Sequence, residues 1–441
     1  MDGKVRHVRF ATGQNLEQAR AFFAASGVGS SRVPAASVPE RLEGAAWELI
    51  EEWDASHRVP RRGDGKRINT PSLVEWSPDG EMLVTACDAF GLTRWYSDGR
   101  RVGGGTPPYA YGDPRRFFWS PDGGLVLLEA QTALNIWWSI QSADGRIVRQ
   151  VVANGFWLWG SDSLNHYGLH RTRCFNPWRP GASQLLIVSY DAPQLDLIDV
   201  SALPERETTD LPVLLAHAVG LARLVAKSLS GAGDEPEGLA ATPPTKSVSL
   251  APLGAQDRRI MRFAWHPSGR YVAVTTGHSE DKGMRRVHVL DYESAEIVAS
   301  LPPSTTGVGW SPGGRLLFCQ QWTGAYTSDW KIETLVWDSH EWSLRGLTED
   351  ERRQPWARHY EFTGLGVRND ALNADGTLRA RLETGVTVCA NDGGGHEEAT
   401  RVPLEGQVDY LAWSPTDPRR LATVGGDDAP HSLRIWRLKD V

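Results

Sequence analysis

Short apolar-rich runs flank one recurring corner along most of the chain. "SLVEW" leads into "SPDG" and "EMLVTAC" leaves it; "YLAW" leads into "SPTD" and "RRLATVG" leaves it. The residues "WSPDG" stand at Trp76 and again at Trp119, and "WHPSG", "WSPGG" and "WSPTD" follow at Trp265, Trp310 and Trp413. Serine first, proline second and glycine fourth suit a type I turn. The pattern predicts a β-hairpin corner at each copy. The tryptophan ends the incoming strand, where its ring can pack on the neighbouring unit and bury on the order of 200 Å².

Recurrence at this spacing predicts a repeat fold. Weaker copies at Phe175 ("FNPWRPG") and Leu372 ("LNADG") make seven corners, anchored by Trp76, Trp119, Phe175, Trp265, Trp310, Leu372 and Trp413. Behind each comes a second strand and then a third, such as "LDLIDV", "VHVLDY", "ETLVWDS" and "SLRIWRL"; six repeats continue into a fourth strand. The last repeat stops five residues after Trp436, too early for a fourth strand, and an open edge is an aggregation hazard. The N-terminal chain is expected to supply that strand, from residues 4–10 or from around residues 57–60.

Three pieces break the rhythm. Residues 1–65 carry two helical patterns, "NLEQARAFFAAS" and "PERLEGAAWELIEEWDAS", the second opening with a helix start signal at Ser37 to Glu40. Residues 203–245 form an insertion within the third repeat. Its stripe of Leu211, Leu214, Leu215, Ala218, Ala222, Val225 and Leu229 predicts a helix, followed by a flexible linker. That helix either packs on the side of the repeat array or docks another chain. Residues 348–364 are a long charged and aromatic connection between two repeats.

Composition narrows the function. A net charge of -7 and a pI near 6.0 argue against a protein that neutralises nucleic-acid phosphates. Cys87, Cys174, Cys319 and Cys389 form no CxxC pair and read as reduced residues of a cytoplasmic protein. "MDGKVRHVRF" lacks the apolar core of a secretory signal. The apolar run 211–229 is interrupted by His217, Arg223 and Lys227, so no membrane span is expected. Catalytic groupings are missing: "GHSED" at Gly277 lacks the last glycine of a nucleophile elbow. His166 and His170 are four apart but without helical context, and "DGGGHEE" at Asp392 reads as a hairpin. No catalytic residue, metal or cofactor is expected.

"VWD" at Val336–Asp338, with "LIDV" and "VLDY" keeping its aspartate, resembles the signature of WD-repeat β-propellers. The resemblance covers residues 66–441. It implies an all-β fold, a seven-bladed β-propeller of four-stranded antiparallel blades, with a helical N-terminal extension and one helical insertion. No repeat has a Gly-His dipeptide in its usual place, which implies that the family's Asp-His-Ser/Thr-Trp network is absent.

Such folds are commonly rigid platforms whose loops bind partners. The resemblance assigns four connections to one face: 106–116, 154–170, 320–330 and 352–362. They carry Tyr109, Tyr111, Arg115, Arg116, Phe156, Trp157, Trp159, Trp322, Tyr326, Trp330, Trp356, Arg358 and Tyr360, residue types enriched at interface hot spots. The expected function is a non-enzymatic scaffold or adaptor that holds protein partners on this aromatic face. The alternatives are a hydrolase or lyase with its site at the central channel, or a sensor of peptides or small ligands. For any single ring, capping the fold is an equal alternative to binding.

Overall fold

The computed structural model describes residues 5–25, 46–54, 71–87, 92–103, 113–131, 136–145, 147–153, 156–157, 176–189, 193–203, 206–207, 245–253, 260–277, 285–323, 331–354, 356–357, 360, 370–382, 385–390, 399–404, 408–425 and 432–439. These form seven sheets, numbered here in the chain order of their inner strands. Sheet 1 is built from strands 71–76, 82–87, 92–96 and 101–103, and sheet 2 from 113–119, 125–131, 136–142 and 147–153, with 206–207 added antiparallel at its outer edge. Sheet 3 uses 156–157, 184–189, 194–199 and 246–249; sheet 4 uses 260–265, 271–276, 286–291 and 296–300. Sheet 5 uses 305–310, 316–323, 331–338 and 343–346; sheet 6 uses 370–372, 378–382, 386–390 and 399–401. Sheet 7 pairs 408–413, 420–425 and 432–438 with an N-terminal strand. Within each set the four strands run antiparallel.

The corners explain their own spelling. At the first, the Gly80 N–H donates to the Ser77 carbonyl (2.9 Å), the Ser77 N–H to the Met82 carbonyl (2.8 Å), and the Met82 N–H to Ser77 Oγ (2.9 Å). The Ser77 hydroxyl donates to Asp79. Gly80 takes φ +73°, and an added Cβ would also strike Thr416 of sheet 7, so glycine is required twice over. Ser120 and Ser311 accept from Leu125 and Leu316 in the same way, and in "LNADG" Asn373 Oδ1 accepts from Leu378 N (2.9 Å).

The third corner lies three residues later than its sequence suggested. Arg179 N–H donates to Gln184 O, Ala182 N–H to Arg179 O, and Trp178 bridges to Leu185. Trp178, only 1% exposed, is therefore the anchor, not Phe175, and Pro180–Gly181 (φ +71°) occupies the central pair of a type II turn.

Several consecutive sheets latch at these corners, sheets 4 and 5 and sheets 6 and 7 in both directions. The indole N–H of Trp413 donates to Ala371 O (3.0 Å), that of Trp76 to Ala412 O (3.2 Å), and that of Trp310 to Ala264 O (3.2 Å). Each acceptor immediately precedes the preceding sheet's anchor. In return, the side chain after an anchor reaches the next corner: Asn373 donates to Pro418 O (3.0 Å) and Arg179 to Gly269 O (2.7 Å), while His266 bonds Gly314 O (3.0 Å). Corners that depart from serine are those whose side chains reach the neighbour.

The chain divides into two compact units. One holds sheets 6, 7, 1 and 2. Sheets 7 and 1, built from opposite ends of the chain, share a core of Val74, Trp76, Leu83, Trp95, Ala412, Ala422, Val424, Leu433 and Ile435. Sheet 7 is completed by Trp47–Asp54, which pairs antiparallel with 432–438; Glu52 faces Arg434 there (2.8 Å), and the Trp53 ring stacks on Trp95 (5.6 Å). The helical expectation for "WELIEEWD" is thus corrected to a strand. The edge partner comes neither from 4–10 nor from 57–60.

The other unit holds sheets 3, 4 and 5 and the N-terminal arm. Strands β1 (Arg6–His7) and β2 (Arg9–Phe10) run parallel along the outer edges of sheets 3 and 4, and helix α1 (Gly13–Ala25) follows, as expected from "NLEQARAFFAAS". Phe23 of α1 is fully buried among Tyr271, His266, Trp310, Trp337 and Trp342. With these two elements labelled, the closing strand Trp47–Asp54 is β3. The helical stripe 211–229 lies outside the described residues.

Two indoles on third strands bond threonines of the second strands. Trp95 Nε1 donates to Thr85 Oγ1 (3.2 Å) and Trp436 Nε1 to Thr423 Oγ1 (3.0 Å). Cys319 and Cys389 are both buried.

Candidate functional site

The pairing registers give each sheet two distinct ends. Corners close one end. At the other, Trp322 faces Ile332 and Thr323 faces Lys331, so the connection 324–330 leaves sheet 5 opposite its corner. Asp113 faces Gln131 in sheet 2, and Phe156 faces Ser189 in sheet 3. The connections 104–112 and 154–155 therefore also meet their sheets at the far end.

Five of the thirteen candidate residues belong to strands rather than loops. Arg115 and Arg116 lie in 113–119, Phe156 and Trp157 form the inner strand of sheet 3, and Trp322 lies in 316–323. Their side chains are not among those described. Tyr109, Tyr111, Trp159, Tyr326, Trp330 and Arg358 lie outside the described residues, as do His166, His170, His278 to Asp281, and Asp392 to Glu398.

Trp356 and Tyr360 are brought together. Their rings lie 6.3 Å apart, and both pack on Phe318, Tyr360 at 5.6 Å and Trp356 at 6.5 Å. The Tyr360 hydroxyl donates to Trp310 O (2.9 Å), and its ring lies where Gly309 would carry a Cβ. Trp310 is at the corner end, so Tyr360 lies along the flank of sheet 5. Tyr360 works as a cap in this position; Trp356 is half-buried.

A network not read from the sequence holds the start of this connection. Asp338, the aspartate of "VWD", is fully buried; it accepts from Arg315 (2.8 and 3.1 Å) and Arg345 (2.9 Å). Burial opposes its charge, but the two guanidinium groups and the His340 N–H outweigh that and hold its pKa down to about 2. Arg345 also grips Glu351 at 2.8 Å, which keeps that carboxyl below its ordinary range and raises the guanidinium. Glu351 closes a capping box with Thr348 on the short helix α2 (Glu349–Arg352). Asp338 is thus tied through Arg345 and Glu351 to the short helix that precedes Trp356. Arginine directly after the corner glycine, Arg270 or Arg315, was the available signal: Arg270 meets Asp291 in the same way (2.7 Å).

His266 is a buried histidine. Burial pushes it down to about 4 against the opposing bond to Gly314 O. Its Nδ1 accepts the Ser268 N–H (3.1 Å), so Nε2 carries the proton and donates to Gly314 O. Among the described residues no group of three or more His, Cys, Asp or Glu side chains is placed to hold a metal ion, and no helix is long and apolar enough to cross a membrane.

No protein-family model matches the sequence, and no curated protein matches it. Among solved structures, the β-propeller domain of Cps50 (Swd1) from Myceliophteria thermophila is similar at 13% identity and a TM-score of 0.43, covering 89% of this chain and all of that one. Hydrazine synthase of Kuenenia stuttgartiensis is similar at 10% identity and a TM-score of 0.41, covering 86% of this chain and 98% of that one.

Proposed function

We propose that the seven sheets are the blades of one closed propeller of the WD-repeat type, and that the protein is a non-enzymatic scaffold holding protein partners on its aromatic connections. The observation that carries this reading is the division of labour within each sheet. Corner ends are consumed by turns, several latched to the next corner, whereas the connections 104–112, 154–155 and 324–330 meet their sheets at the opposite end. In a ring, those ends share one face.

Large aromatics fully buried at an interface contribute roughly 2 kcal/mol or more each at a hot spot. Trp157→Ala, Trp322→Ala and Trp330→Ala, made singly in the full chain, are expected to reduce capture of a native partner at least tenfold while the melting temperature holds. The measurement is affinity purification with quantitative mass spectrometry, beside thermal unfolding. Unfolding of all three variants would assign the rings to capping. An unchanged partner set with intact folding would remove this face from the account.

A further inference from the structure

The outer edges of sheets 3 and 4 hold a seat with a definite chemistry, filled by the chain's own residues 6–11. β1 adds in parallel to the strand 246–249 and β2 to the strand 296–300, each through two residue pairs. Between them Val8, 3% exposed, enters the shared core of sheets 3 and 4, with its N–H on Ser249 O (2.9 Å); Ala11 N–H reaches Ile297 O (2.9 Å). Arginines flank the buried valine. Arg6 donates to Glu293 O (3.0 Å), and Arg9 pairs with Glu296 at 2.7 Å, a carboxylate whose side chain is 5% exposed. Asn15 donates to the same oxygen (2.9 Å).

The specificity elements of the seat lie in the sheets and the buried glutamate. The occupant contributes little that is its own: Arg6, His7, Arg9 and Phe10 are exposed, Phe10 at 60%. Strand addition of this kind takes affinity from backbone bonds and selectivity from alternate side chains. We propose that this edge is a second docking site, for an extended partner segment with an apolar residue between two arginines, and that residues 6–11 are its built-in competitor. A second copy of the chain is the weaker occupant, because exchanging identical arms makes no new contact and still costs the freedom lost on association.

Tethering gives the arm an effective concentration on the order of mM, so a free peptide meets an occupied seat in the native chain. The test uses full-length protein and a fluorescent peptide of residues 4–12. Val8→Asp combined with Arg9→Glu releases the arm; Arg6→Glu combined with Arg9→Glu weakens it through exposed side chains alone, should the first variant not fold. A released, folded variant is expected to bind the peptide at least tenfold more tightly than the native chain. The same peptide with Arg9→Glu should lose that binding, and Glu296→Gln in the receiving chain should weaken binding of the unaltered peptide. A folded variant that binds the peptide no better than the native chain overturns the proposal. So does equal binding of the charge-reversed peptide, or a shift to dimer on arm release without peptide binding.

Discussion

Trp76 serves two purposes that one substitution separates. Its ring fills the core between sheets 7 and 1, and its N–H satisfies Ala412 O. Trp76→Phe keeps most of the first and removes the second, leaving a buried carbonyl without that donor. The expected loss is about 1–3 kcal/mol in chemical unfolding. Trp76→Ala should cost roughly 3–5 kcal/mol. His266 supplies the pH dependence. Its folded pKa near 4 lies below the ordinary 6.5, so the unfolded chain binds the extra proton first. Its contribution is complete above pH 6.5 and falls as pH drops toward 4, by up to about 3 kcal/mol. Against a His266→Gln variant, the native protein should lose more stability across that window, and a parallel pair of stability curves would contradict the assignment. Asp338, depressed to about 2, contributes above its ordinary 3.8 and loses that contribution as pH falls through 2.

At the scale of elements, α1 is the clearest test. Phe23 is 0% exposed and sits in a nest of rings. Phe23→Ala should cost about 3–5 kcal/mol. Amide exchange should then quicken across α1 and the corners it covers before it does so in sheet 4. The corners were legible because turn chemistry is local: serine, proline and glycine state their geometry within four residues. "FNPWRPG" misled because two prolines offer two turns three residues apart, and the Pro180–Gly181 pair wins by supplying the positive φ. "WELIEEWD" misled for a different reason. Trp47, Ile50 and Trp53 recur every three residues, as on a helix, but they share no face: Trp47 joins the core with sheet 6, Trp53 packs on the core with sheet 1, and Ile50 is exposed. Its partner lies almost the whole chain away. β1 and β2, two residues each, carry no pattern of their own. The candidate site was legible in composition more than in position: five of its residues proved to be strand, and Tyr360 turned to the flank.

The whole molecule depends on joining its ends. Sheet 7 has three strands from the C-terminal region and one, β3, from the N-terminal region, and sheet 7 packs on sheet 1. Within their unit, sheets 6, 7, 1 and 2 share cores in succession, so the seam joins a continuous run of packing. Glu52 and Arg434 lie directly opposite across the seam, 382 residues apart in sequence. The most direct measurement replaces both with cysteine in the full chain and follows oxidation. The account predicts an intramolecular disulfide that forms without denaturant and raises the melting temperature by several degrees, since closing so long a loop is worth on the order of 5 kcal/mol in the chain-entropy model. Reductant should abolish the gain. Two thiols that stay free in the folded protein, or cross-link only between molecules, would contradict it.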